Sequence, residues 1–363
     1  MLLRRGSLTL AAAALVAAVS IFVGLRYGLL LAVGLGFGLV LEGLRFGFAG
    51  PWRAMILHRN PAGLLGQLLA IALVAIVALP LLAVRGDELS GAQGPIGWAM
   101  AAAAFFFGMA MQVLLACGSG TLVNAGSGNP VGLVSLPFFA LGSFFGAYHL
   151  FWWTGLGSLP PVTLTGLSGT AVTLAALALV AGILLLQASP DQRRLPRRII
   201  VAAALLACLA LLNLVVSGQP WGIVYGLGLT AAKSLNFAGM DLSGSTFWTT
   251  ASSVDRLSDS ILTDTTSLTN IGIVFGAFGV SAWRVDGLSQ KLPRYQPKAW
   301  ISMIIGGFVL GYCARLAFGC NVGAFFSGIA TGSLHGWVWF AAAFGGAFIG
   351  VRLRPILGLE GAK

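Results

Sequence analysis

"AFGCNVGAFFSGIATGSLHG", residues 317–336, breaks an otherwise strongly apolar chain with a cysteine set among glycines and small polar residues. A plain membrane span needs no such interruption, and an extracellular cysteine would normally find a disulfide partner nearby. The stretch therefore reads as a segment that dips into a membrane and turns there.

The rest of the chain agrees with that reading. Of its 363 residues, 58% are hydrophobic and 9% charged, with a mean hydropathy of +0.92. One soluble core cannot hide so much apolar surface, whereas lipid accepts it directly. The fold class is all-α and polytopic. The net charge of +11 would suggest nucleic acid on a soluble protein, but here it gathers between apolar runs. "DQRRLPRR" (191–198) carries Arg193, Arg194, Arg197 and Arg198, and "RVDGLSQKLPRYQPK" (284–298) carries Arg284, Lys291, Arg294 and Lys298. Such clusters mark cytoplasmic loops.

Apolar runs near 8–25, 28–44, 63–84, 96–116, 131–151, 163–187, 199–217, 219–232, 268–283, 299–318 and 335–351 predict about nine full spans plus short re-entrant helices. Arg4 and Arg5 before the first run resemble a secretory leader, but a second run follows at once, so a retained helix is expected at 1–27. The most polar insertion, 233–267, has no mark of an independent domain.

A gapless shift of 203 residues places Gly108 on Gly311, Cys117 on Cys320, Gly120 on Gly323, Ala140 on Ala343, Gly142 on Gly345 and Phe145 on Phe348. "LRFGFAG" (44–50) also resembles "SLNFAG" (234–239). Two repeats follow, 28–187 and 199–355, joined by the basic loop 188–198 and ending in a tail, 356–363. Paired repeats whose broken helices meet near mid-membrane are a common transporter design.

Irregular backbone at membrane depth survives where it lines a cavity or is buried in protein. Each Cys-x-x-Gly turn would offer backbone N–H groups to an anion. Side-chain donors are Ser119, Thr121, Asn124, Ser127 and Asn129 on one turn, and Asn321, Ser327, Thr331 and Ser333 on the other. Thiols are weak donors with polarizable sulfur, suited to a soft sulfur-containing partner. The candidate pathway is Cys117, Cys320, Gly120, Gly323, Asn124, Asn321, Ser327 and Arg315. Arg315, inside an apolar helix, either attracts an anion or is a snorkelling or paired arginine. Glu42 and Arg45 are expected to pair at i, i+3. His335 and Trp337 open the last helix as an interfacial or capping feature. Cys208 reads as a small apolar-facing residue. No zinc spacing, Ser/His/Asp set or nucleotide loop is present, so no metal, cofactor or enzymatic activity is expected.

"LACGSGTLVNAGSGN" and "FGCNVGAFFSGIATGSLHGW" resemble the two repeated loops of the YeeE/YedE family of bacterial sulfur-compound transporters. "RFGFAGPWRAMIL" (45–57) resembles that family's first motif. The resemblance implies import of thiosulfate or a related small sulfur-containing anion across the bacterial inner membrane. It also implies an hourglass-like fold with inverted halves and a relay of the anion through S–H contacts at Cys117 and Cys320. One departure stands out: Gly47 occupies the position of a family cysteine, with Cys313 a candidate substitute. Alternatives are a membrane sulfur transferase handling a persulfide, or a scaffold for a soluble sulfur-carrier protein.

Overall fold

The computed structural model describes residues 2–284 and 295–359. Lys291 and Arg294, and the tail beyond residue 359, lie outside the described residues. The first half runs α1 (Leu2–Phe22), α2 (Leu25–Gly43), α3 (Ala49–His58), α4 (Ala62–Val84), α5 (Trp98–Leu114), α6 (Gly118–Gly126), α7 (Pro130–Tyr148), α8 (Leu150–Thr154) and α9 (Gly166–Gln187). The second half has α10 (Arg197–Ser217), α11 (Val224–Phe237), α12 (Ala251–Ser258), α13 (Thr265–Trp283), α14 (Pro297–Leu316), a π-helix (Asn321–Gly328) and α15 (His335–Ile356). A two-residue ribbon pairs Ile96 with Leu159 and Gly97 with Ser158.

Among the described residues, ten helical stretches are long and apolar enough to cross a membrane, close to the nine expected. Two of them, 98–126 and 297–328, join a long helix to a short one through a cysteine turn. The apolar run at 219–232 becomes α11, which at 14 residues is too short to span. The polar insertion folds back as a cap. Lys233 Nζ donates to the Leu257 carbonyl at 2.9 Å, and Trp248 Nε1 donates to that of Phe144 at 3.4 Å.

Lipid gives helices little hydrophobic reason to associate, so small residues that let backbones touch do that work. Gly108 packs on the Ala343 carbonyl and Gly311 on that of Phe139, closer than a Cβ permits. Gly146 faces Tyr312 and Arg315, and Gly350 faces Met109 and Gln112. Residues 312 and 109, like 315 and 112, are 203 apart. The α5–α15 and α7–α14 contacts thus use one register twice.

Helix ends sort onto two faces. Arg284 bonds Glu42, Gln112 Nε2 donates to the Ala49 carbonyl, and Arg354 bonds the Val113 carbonyl. These ties put the ends of α2, α5, α13 and α15 together, and Gly66, packed against both Ile199 and Phe46, brings the basic segments at 45–59 and 191–198 to the same face. The opposite face carries the 85–97 and 149–165 loops, which bond to 331–334.

Two sequence expectations change. Arg45 leaves the helix with φ +50°, and Glu42 instead accepts from Arg284 Nη1 at 3.1 Å, a partner 242 residues away. His335 is fully buried, with Nδ1 2.6 Å from Ser333 Oγ, rather than interfacial.

Candidate functional site

Both cysteine turns are built alike. α5 stops where Leu115 adopts φ +55°, and Cys117 (φ −97°, ψ −168°) opens α6 two residues later. α14 stops before Phe318, also at φ +55°, and Cys320 (φ −94°, ψ −166°) opens the π-helix. A left-handed non-glycine residue costs about 1–2 kcal/mol, and the fold bears that cost at two positions 203 apart. Arg45 stands in the same relation to Gly47, so the third loop shares the device.

The two turns meet. A Cβ on Gly118 would lie 2.9 Å from Cys320 Sγ and 3.4 Å from Ile223, so the bare backbone of Gly118 is what lets that sulfur stand next to the Cys117 turn. Both thiols are buried. Cys117 Sγ lies 3.2 Å from Ser119 Oγ and accepts from the Gly120 N–H at 3.5 Å, capping α6. Cys320 makes no such cap. Beside it, Asn321 is fully buried and neither atom of its amide has a partner. Trp221 Nε1 and Asn270 Oδ1 are likewise unpaired, although Asn270 Nδ2 donates to the Ile223 carbonyl at 2.9 Å. An unsatisfied buried polar group costs about 1–3 kcal/mol, so this cluster asks for a reason.

Other sequence candidates take structural roles. Thr121 Oγ1 donates to the Cys117 carbonyl and Thr331 Oγ1 to that of Ser327, each at 2.8 Å. Asn129 Oδ1 caps α7. Ser327 Oγ donates to the Trp221 carbonyl at 2.7 Å, tying the π-helix to the segment before α11. Asn124 packs on Gly132 at the far end of α6, away from the sulfurs. A Cβ at Gly323 would meet nothing within 4 Å, and one at Gly120 only ordinary contacts. Cys313 is buried on α14, Cys208 is exposed, and Gly47 sits exposed in its loop with open space around its Cβ position. Among the described residues, no three His, Cys, Asp or Glu side chains gather to hold a metal ion. Sequence reasoning passed over Gly118, Trp221 and Asn270. Gly118 was adjacent to a cysteine, but only the crossing of the two halves reveals its purpose.

On the face opposite the basic one, a cavity of about 400 Å³ opens toward the Cys320 turn. Gln219, Trp221, Tyr225, Phe247 and Arg315 wall it, and Gly319 and Gly323, which flank Cys320, also line it. Aromatic rings close the way beyond. Phe326 lies edge-on to Trp221 at 5.8 Å, and Trp221 stacks on Phe37 at 3.9 Å.

A sequence profile described as Sulphur transport matches residues 44–349, which hold both cysteine turns, the Gly47 loop and Arg315. The chain belongs to the sulphur transport family. It is 25% identical over 339 residues to the thiosulfate transporter TsuA of Spirochaeta thermophila, covering 85% of this chain and 93% of TsuA. It is 37% identical over 103 residues to the probable transporter YedE of Escherichia coli K12, and 36% over 88 residues to that of Salmonella typhimurium LT2. Those matches span 25% and 21% of the two YedE chains, and 28% and 24% of this one. The resemblance read from the loop motifs and the all-α polytopic reading both hold. Like others of the sulphur transport family, the chain is a multi-pass membrane protein.

Proposed function

We propose that the protein is a permease importing thiosulfate or a closely related sulfur-containing anion across a bacterial inner membrane. The observation that carries the reading is the meeting of the Cys320 sulfur with Gly118, one residue from Cys117. A soft anion passing there would exchange contacts between two thiols without covalent chemistry. The unpaired amide of Asn321 supports the same path, because a group serving a transient cargo has no permanent partner in the protein. The repeated register of the α5–α15 and α7–α14 contacts supports two pseudo-symmetric halves whose broken helices enter from opposite faces. Positive-inside bias makes the basic face cytoplasmic, so the vestibule is the outer entrance. The whole-length likeness to a thiosulfate transporter supports the cargo class, and Gly47 leaves this pathway with two thiols instead of three.

Burial of both cysteines weighs against a persulfide-handling sulfur transferase, whose thiolate must be accessible to a donor. A scaffold for a soluble carrier would have no use for the buried, unpaired Asn321.

The test is uptake of labelled thiosulfate in cells lacking any other importer, with Cys117→Ala and Cys320→Ala expressed at matched levels. Uptake by the unmutated protein and its loss in both variants is expected. No uptake by the unmutated protein, or normal uptake by both variants, would overturn the proposal.

A further inference from the structure

We infer that Arg315 is the capture point for an oxyanion in the outer vestibule, one step before Cys320. The direction of travel rests on the permease reading above; the binding does not. Arg315 Cζ lies 4.4 Å from the Phe247 ring and 5.4 Å from that of Tyr225. The two rings hold the guanidinium through cation–π attraction without neutralising it. Among the described residues Arg315 forms no hydrogen bond or ion pair, and its Nε is buried and unpartnered. Two other arginines are treated differently. Arg256, 5.9 Å from the same Tyr225 ring, is bound to Asp264 at 2.7 Å, and Arg284 is bound to Glu42. Arg315 is therefore a net positive charge at the cavity wall. A guanidinium fork fits two oxygens of one oxyanion.

The repeat strengthens the point. Gln112 stands 203 residues earlier and packs on Gly350 as Arg315 packs on Gly146. It is buried and neutral, donates Nε2 to the Ala49 carbonyl, and leaves Oε1 unpaired. One half thus carries a cation where the other carries an amide. An anion is held by Arg315 on the vestibule side, and the position 203 residues earlier offers it no charge.

The experiment is titration of the purified protein with sodium thiosulfate against sodium chloride at equal ionic strength, read by tryptophan fluorescence (Trp221 lines the cavity). Saturable binding is expected, weakened at least about tenfold in Arg315→Gln and only about threefold in Arg315→Lys, which keeps the charge but loses the fork. Absence of saturable binding by the unmutated protein, or equal affinity in Arg315→Gln, would overturn the inference. Should Arg315→Gln not fold, Gln93→Lys and Gln93→Glu on the exposed cavity rim must shift the affinity up and down respectively, and unchanged affinity in both would overturn it. Binding that depends on Arg315 without thiosulfate uptake in cells would remove the permease reading and leave the capture site standing.

Discussion

Leu115 and Phe318 share a left-handed φ, and Cys117 and Cys320 share backbone angles to within a few degrees, yet the chemistry of the two turns differs. Cys117 is tied down: its sulfur caps a regular α-helix through Gly120 and meets Ser119. Cys320 opens a π-helix, makes no cap hydrogen bond through its sulfur, and is followed by a buried amide with no partner. Wide helical turns of this kind often occur at functional sites. The difference teaches that two turns of similar backbone form can tie one thiol down as a helix cap and leave the other without that bond.

That contrast can be broken most directly at the sulfurs. Cys320→Ala should lower thiosulfate uptake by roughly two orders of magnitude while losing only the packing of the small vacated sulfur volume, about 1 kcal/mol or less. Cys117→Ala should lower uptake comparably but destabilise the protein by about 1 kcal/mol more, because a helix cap goes with it. Equal melting temperatures for the two variants would erase the distinction. Gly118→Ala should reduce uptake by roughly tenfold, since its methyl displaces the Cys320 sulfur, while Gly182→Ala on α9, whose methyl meets nothing within 4 Å, leaves uptake nearly unchanged. If both behaved alike in a side-by-side uptake assay, the meeting of the turns would not matter. Asn321→Ala should cut uptake several-fold without lowering the melting temperature, because no protein hydrogen bond is lost. A marked drop in stability would show that the amide is structural. The smallest effect concerns the third loop: Gly47→Cys has open space for its side chain and should fold with an unchanged melting temperature, keeping or modestly raising uptake.

Much of this was legible before the fold was known. Apolar runs located the spans because a bilayer imposes a length on them, and the shift of 203 residues paired the cysteine turns. Partners far apart in sequence were not legible. Glu42 finds Arg284 rather than Arg45 because the chain leaves the helix before Arg45 can turn back. The hydroxyls of Thr121 and Thr331 seemed available to an anion, but threonine inside a helix readily bonds the carbonyl one turn back. Gly118 lost attention to Gly120 because the Cys-x-x-Gly pattern repeats, whereas residue 118 matches Asn321 and only touches Cys320 through the crossing.

The cluster of Phe37, Trp221 and Phe326 rings, together with the close approach of Gly118 to Cys320, has a bearing on cell energetics. A continuous thread of water through the bundle would short-circuit the proton gradient of the membrane that houses it. On the proposed pathway, rings on one side and sulfur against backbone on the other would keep the passage electrically tight at rest. A cell can then hold many copies of the protein at little cost in membrane potential, and proton leak through vesicles bearing it should match that of empty ones.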